Sequence, residues 1–600
     1  MCYYLVMVGN KIEEKLKSYI TEALAALGAE GVVIILERPA DLGNGDYATN
    51  AAMKAYSAFQ EIVQKEHNLE KRKQVKSTVS HNVGRWTNPR ELASQIVQHI
   101  DARKDPDIES ISAAGPGFIN FRLSKTYFQN ALTDALAHGT AFGENDSLLG
   151  KRAVVEFTDP NPFKEFHIGH LMSNTIGESI ARLIEVAGAD TKRLCYQGDV
   201  GMQVAKAVWG MQKSERSKDQ DISGLVSWFA ASYSLGAMGF EKDEQIKKEV
   251  TEINKKIYDR SDTEINALYD LGRRVSLEYF ETIYARLGTK FDHYFFERES
   301  ASFGKEVVEK HPDIFEASDG AIVYKGDESI GLHTRVFINK EGLPTYEAKE
   351  LGLAKIKYDA TRYDVSIIIT GNEVKDYFKV LLDAMAKVFP ELAAKTEHYA
   401  HGMLRLPSGK MSSRTGDVIT AEALIDETKE KALLQITGEH FSSEEKALIA
   451  EQVAIGAIKY SILRQASGKD IIFDFEQSLS FEGDSGPYLQ YTYARTRSLL
   501  SKAEGKVIDP EKAAGDETIP LHKYLLRFPE VVERAGEERA SHYIATYLIE
   551  LAREFNSFYG NTIVLDGAPD EAYKLALVTL VSGVLKKGLW LLGIPAPVRM

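Results

Sequence analysis

The chain has almost no cysteine: two in 600 residues, Cys2 and Cys195. Neither a disulfide framework nor a Cys/His zinc spacing can be built from two, which points to a reducing compartment. Long hydrophobic runs are missing too. A stretch such as Leu575–Leu585 falls well short of the ~20 residues that a membrane helix needs. The start, Met1–Val8, has neither the basic flank nor the apolar length of a secretory signal. Internal repeats and low-complexity segments are lacking. Positive charge is in deficit, with 73 Lys and Arg against 87 Asp and Glu and a net charge of −14. That argues against a protein coated by nucleic acid, yet leaves room for a local basic face. One such stretch exists: Lys71, Arg72, Lys73, Lys76, Arg85 and Arg90 occur with no acid among them.

What remains is ordinary globular material, 44% hydrophobic and 27% charged, enough for several full cores. At about 100–200 residues per domain, a chain of this length makes about three to five units. The expectation is a cytoplasmic, multidomain enzyme.

The spacing of Ile12, Leu16, Ile20, Leu24 and Leu27 predicts an amphipathic helix over 11–28, and Gly31–Glu37 reads as a strand. Turn residues at Gly43–Asp46 precede a helix through Ala48–Phe59. Asn88-Pro89-Arg90-Glu91 opens another helix, with Asn88 as N-cap and Pro89 in first position. Gly115-Pro116-Gly117 leads into a strand, Phe118–Leu123. These elements make a small α+β domain. At Ala153–Phe157 a second unit begins: strand, turn, a helix from about His167 through Val186, then a strand over Thr191–Tyr196. That is the βαβ pattern of a parallel nucleotide-binding sheet. Residues 203–288 read as a helical insertion, with helices over Glu241–Arg260 and Leu268–Leu287. Strand signals resume at Ala321–Tyr324, His333–Ile338 and Val365–Thr370. From Ala421 onward the pattern is helical almost throughout, and Ile544, Leu548, Leu551, Phe555 and Phe558 mark one buried helix face.

Two strings carry chemistry. His167-Ile168-Gly169-His170 falls where a strand turns into its helix, so the histidines share a face of the first turn. Open backbone N–H groups and the positive dipole end make that spot an anion site, and Gly169 leaves room for a planar base. About 240 residues later comes Pro407-Ser408-Gly409-Lys410-Met411-Ser412-Ser413-Arg414-Thr415-Gly416. Small residues around one lysine suit a loop that delivers an ammonium to phosphates. Either string alone reads as easily as a structural turn or an exposed basic loop. In this order, on these elements, the pair resembles the nucleotide-binding signatures of class I aminoacyl-tRNA synthetases.

Within that class the chain resembles arginyl-tRNA synthetases over nearly its whole length. The resemblance rests on Gly45-Asp46-Tyr47-Ala48-Thr49-Asn50, Gly115–Phe121, Val155-Glu156-Phe157, Pro160-Asn161, Lys164, and Phe166–Leu171. It continues through Gly198-Asp199, Gly201, Gln203, Leu343-Pro344-Thr345-Tyr346, Gly486–Tyr491 and the ending Gly593–Met600. It implies an α+β N-terminal tRNA-binding domain over 1–125, a linker over 126–150, and a Rossmann-type parallel-sheet catalytic domain. The latter is split into 151–202 and 291–425 by a helical insertion at 203–290. A helical connection at 426–485 and an all-α anticodon-binding domain at 486–600 complete the expectation.

The implied reaction attaches L-arginine to tRNA(Arg) through an arginyl-adenylate formed from ATP, with Mg²⁺ carried on the ATP and no protein metal site. His167, His170, Lys164 and Lys410 are the expected donors to the growing charge on the triphosphate. Phe166, Gly169, Met411, Ser412 and Ser413 join the histidines as ATP-binding candidates. A guanidinium asks for carboxylates, and the family pattern points to Glu156, Asp159, Asn161, Tyr346, Glu350, Asn372 and Glu373. Three positions depart from the pattern: Glu350 for the usual Asp, Asp159 for the commoner Ser, and Val374 for a polar residue. Phe118 and Asn120 are the N-terminal tRNA candidates; Tyr491 and Met600 are the C-terminal ones. Monomer is the default state.

Rival readings are a small-molecule nucleotidyltransferase, a non-catalytic tRNA-binding paralogue, and a class I synthetase for another amino acid. The first does not explain the lysine loop followed by a helical domain, and the second should lack His167, His170 or Lys410. The tail and the two acids near the pocket speak against the third.

Overall fold

The computed structural model describes residues 8–29, 31–39, 41–73, 86–101, 103–216, 220–405, 420–436, 441–512 and 519–600. Lys410, Met411, Ser412 and Ser413 lie outside these residues, as do Cys2 and the middle of the basic stretch. Two compact units divide the chain. One comprises 1–144, 499–530 and 553–584; the other comprises 145–498, 531–552 and 585–600.

In the first unit, helices Val8–Ala26, Ala51–Lys73 and Pro89–Asp101 accompany a three-stranded antiparallel sheet. Its strands are Tyr47–Thr49, Phe118–Leu123 and Ile108–Ala114, in that spatial order. Asn88 caps its helix as expected, its Oδ1 accepting from the Glu91 N–H at 3.0 Å. The segment Gly31–Glu37 corrects the sequence reading: it forms no strand, and it meets the sheet through an isolated Glu37–Ala48 bridge and the Thr49 hydroxyl, which donates to the Ile35 carbonyl at 2.8 Å. Val33 and Ile35 are exposed there, so its β-branched residues gain no buried face to hold a ladder. The strand signal spent on it belongs to Tyr47–Thr49, where the sequence suggested the start of a helix.

The second unit is built on a five-stranded parallel sheet. Its order is Thr396–His401, Val365–Gly371, Arg152–Glu156, Asp190–Gln197 and His293–Phe296. Arg152–Glu156 is central and, between its two charged end residues, apolar on both faces, as expected of a strand covered on both sides. Helix Ile168–Val186 packs on one face, nearly all of it buried. A core of Val154, Leu194, Tyr196, Phe295, Leu351, Ile368 and Phe378 fills the other.

Helices Met202–Lys213, Ile222–Lys242, Glu244–Asp259 and Thr263–Leu287 intervene between the fourth and fifth strands in spatial order. The helix expected over Glu241–Arg260 spans Glu244–Asp259: Glu241 and Lys242 end the preceding helix, and Asp243, extended, caps the new one through the N–H groups of Gln245 and Ile246. Ala321–Tyr324 and Arg335–Ile338 do not join the parallel sheet. With Glu316–Ser318 they form a separate antiparallel sheet.

Candidate functional site

The site is assembled around the turn from the central strand into helix Ile168–Val186. Between them the backbone takes positive φ at three non-glycine residues, Thr158 (81°), Asp159 (46°) and Phe163 (69°). Such strain persists only where surrounding bonds over-determine it. Here Ser173 Oγ accepts from the Thr158 N–H at 2.9 Å, Asp159 Oδ1 accepts from the Tyr196 N–H at 2.7 Å, and Ser276 Oγ accepts from the Phe163 N–H at 2.9 Å. Three separate elements thus pin one loop.

At the end of that loop His167 is the N-cap of the helix. Its Nδ1 accepts from the Gly169 N–H at 3.1 Å, and His170 Nδ1 accepts from the His167 N–H at 3.3 Å. The two rings stack with centroids 3.6 Å apart. A Cβ at residue 169 would lie 2.9 Å from the folded-back His167 ring, so Gly169 makes room for the cap itself. The open N–H groups expected from the sequence are therefore partly used: the imidazoles take two of them. With Nδ1 accepting, each ring carries its proton on Nε2. Burial, and then the nearby Lys164 charge, lower His167 to about 4; burial, and then the His167 neighbour, hold His170 well below the usual histidine range. Both are neutral donors at pH 7.

Phe166 is fully buried against Phe280, Tyr284 and His170, and its carbonyl accepts from the Ala421 N–H at 2.7 Å. It acts as a wall beneath His170. Lys164 sits over the Tyr233 ring at 4.6 Å. Arg405 and Thr420 flank the lysine string, and Thr420 forms an isolated bridge with His167.

The acids form a second cluster. Glu156 ends the central strand, 1% exposed, and accepts from Lys357 Nζ at 2.7 Å. Lys357 is equally buried, and although burial works against its charge, Glu156 holds it above the ordinary lysine range. Asp159 and Glu350 both feel Glu156. Burial, with Glu156 next, drives Asp159 well up and Glu350 up to about 8. Beside them lies another buried pair, Lys349 with Glu297 at 2.7 Å. Asn161 Oδ1 accepts from Gln203 Nε2 at 3.4 Å, and the Tyr346 hydroxyl donates to Gln203 Oε1 at 3.5 Å. Gln203 thereby joins two of the expected pocket residues.

Asn372 and Glu373 behave differently: the Asn372 amide donates to the Gly468 carbonyl at 3.0 Å, and Glu373 folds back over Gly371. Both are exposed. Among the described residues no group of three or more His, Cys, Asp or Glu side chains is arranged to hold a metal ion.

This geometry coincides with a family match. The family model described as "tRNA synthetases class I (R), catalytic domain" matches residues 131–475, more than half the chain. The "Arginyl tRNA synthetase N terminal domain" matches 14–123 and the "DALR anticodon binding domain" matches 489–600. The chain belongs to the arginyl-tRNA synthetase family.

Relatives named arginine–tRNA ligase include one from Streptococcus suis, 31% identical over 523 residues, covering 85% of this chain and 91% of that one. Another, from Treponema pallidum, is 30% identical over 530 residues, with 85% and 89% covered. Among solved structures, the arginyl-tRNA synthetase of Plasmodium falciparum superposes with a TM-score of 0.77 at 22% identity over 98% of this chain and 99% of that chain. That of Thermus thermophilus gives 0.76 at 23%, with 98% and 100% covered. The fold is that of an arginyl-tRNA synthetase.

In this family member the surface candidates stand as follows. Phe118, 37% exposed, and Asn120 lie on the outward face of their strand. Tyr491, 38% exposed, lies 4.8 Å from the Arg495 guanidinium. Met600 packs against a core that includes Ile449, Val453 and Leu479. Residues the sequence reading missed are Lys357, Lys349 and Glu297. Their pairings span long sequence separations, Lys357 to Glu156 crossing 201 positions, so no local pattern marks them. Gln203 was visible as part of a motif but without a role.

Proposed function

We propose that the chain catalyses ATP + L-arginine + tRNA(Arg) → AMP + diphosphate + arginyl-tRNA, the activity carried by its family. One observation supports it most. A single strand–loop–helix carries Glu156, Asp159 and the neutral histidine pair His167 and His170, and helix Tyr346–Thr361 adds Glu350 to the acids. The acids suit a guanidinium and the histidines suit phosphate oxygens.

In the first step an oxygen of the arginine carboxylate attacks the α-phosphorus of ATP, the bond to the β-phosphate oxygen breaks, and diphosphate leaves with arginyl-adenylate remaining. In the second, the 2′-hydroxyl of the terminal tRNA ribose attacks the arginyl carbonyl and AMP leaves. No enzyme nucleophile is needed, so catalysis is positioning plus stabilisation of phosphate charge. Our reading gives His167 and His170 the Nε2–H donors and gives Lys164 and Lys410 the positive charge. Gly169, Met411, Ser412 and Ser413 complete the ATP contacts, with Phe166 bracing His170. Mg²⁺ enters bound to the ATP phosphates. Glu156, Asp159, Asn161, Tyr346 and Glu350 take arginine, while Asn372 and Glu373 shape the pocket rim. Phe118 and Asn120 in the N-terminal domain, and Tyr491 and Met600 in the C-terminal helical region, contact tRNA. The working unit is one chain, in the cytoplasm; no described helix is long and apolar enough to cross a membrane.

The test is amino-acid-dependent ATP–diphosphate exchange with each of the twenty amino acids, with and without tRNA. Exchange with arginine alone, dependent on tRNA, is expected. Exchange with another amino acid would sink the assignment of the pocket.

A further inference from the structure

Helix Tyr346–Thr361 turns one face to the pocket: Tyr346, Glu350, Leu353 and Lys357 follow at intervals of four, three and four. Its innermost polar residue, Lys357, is no more exposed than the core around it and bonds Glu156 Oε2 at 2.7 Å. A buried lysine on a buried carboxylate is not a stabilising luxury. Replacing such a pair by apolar residues commonly leaves a protein as stable, whereas removing one partner strands a charge. Its retention beside a ligand pocket needs another reason.

Charge balance supplies one. Glu156, Asp159 and Glu350 are three acids near one another, and Lys357 answers one of them. Two acids are left, which burial and Glu156 keep protonated until a cation ionises them; arginine brings two cations, the guanidinium and the α-ammonium, while its own carboxylate faces ATP. We propose that Lys357 is a positioning residue for arginine: it fixes Glu156 through Oε2, turns Oε1 toward substrate, and cancels one of the three carboxylate charges. This rests on the reading of the acid cluster as the arginine pocket, and the experiment separates the two.

Arginine-dependent exchange is measured with tRNA present in the full chain, with melting curves for every variant. Lys357→Met is expected to raise the Michaelis constant for arginine at least about tenfold and leave that for ATP within about twofold. Lys357→Arg, which keeps the charge, is expected to stay within about threefold of the parent. In a Glu156→Gln background Lys357→Met should add no further rise, because the lysine acts through that carboxylate. The double variant removes both charges of the pair and strands neither partner, so the comparison holds even if Lys357→Met alone fails to fold. A further rise in that background overturns the proposal. So does a fall in turnover with both Michaelis constants unchanged. If Lys357→Met leaves the arginine constant alone while Glu350→Gln raises it, Lys357 has no such role and the pocket stands. If neither variant moves it, the pocket reading itself fails.

Discussion

The two imidazoles at the helix start spend Nδ1 on backbone N–H groups, which makes each a fixed, neutral Nε2–H donor rather than a free cation. A preorganised donor of this kind is worth most against charge that grows during reaction. His170→Ala is expected to slow arginine activation at least about a hundredfold, read by pre-steady-state exchange; near-normal exchange would remove the role. Glu350 gives a pH dependence. Its carboxyl, raised to about 8 by burial and by Glu156, holds a proton below that pH, and a guanidinium favours the ionised form. Arginine binding therefore releases a proton. The arginine kcat/KM should climb with pH and level off above about 8, and Glu350→Gln should flatten that climb. The family pattern made Glu350 legible as a pocket acid, since it stands where that pattern has an aspartate. Its neighbours from other elements set its charge state, and these no spacing could reveal.

At the scale of elements, what the sequence showed well was the turn from strand to helix, since the apolar strand, the Pro-Asn-Pro turn and the long apolar helix are contiguous. The sheet edges were not legible. His293–Phe296 has four residues, and Thr396–His401 is largely polar, so neither shows the apolar run expected of a parallel strand. Gly31–Glu37 erred the other way, with the composition of a strand but no sheet face to cover. The packing of helix on strand is tight at one point. A Cβ at Gly177 would lie 2.1 Å from Cγ of Phe157, the residue directly after Glu156. Gly177→Ala is expected to cost about 1–3 kcal/mol by overpacking, measured by urea denaturation. Because Phe157 must shift, the Michaelis constant for arginine should rise as well.

At the scale of the whole molecule, the unit comprising 1–144, 499–530 and 553–584 is tied by chain segments far apart in sequence. Arg38 grips Glu530 with two bonds, at 2.7 and 2.5 Å, and the Tyr47 hydroxyl donates to the same carboxylate at 2.5 Å. Lys523 reaches the buried Asp46 at 2.8 Å. The motif Gly45-Asp46-Tyr47 thus serves as a clamp inside this unit, a use its local sequence did not announce. Glu530→Gln is expected to destabilise the unit by roughly 2–3 kcal/mol, between the values for exposed and fully buried pairs, seen as a lowered denaturation midpoint. The strained loop at Thr158 and Asp159 has a consequence for how such a protein can be improved. Glycine at 158 would relax the positive φ and keep the backbone N–H that Ser173 holds, so a screen for heat resistance alone should enrich Thr158→Gly, whereas Asp159→Gly would forfeit the bond to the Tyr196 N–H. Those same survivors should charge tRNA poorly, because the loop between the acid cluster and the histidine pair would no longer be held to one shape. Robustness and aminoacylation compete here for the same few backbone angles.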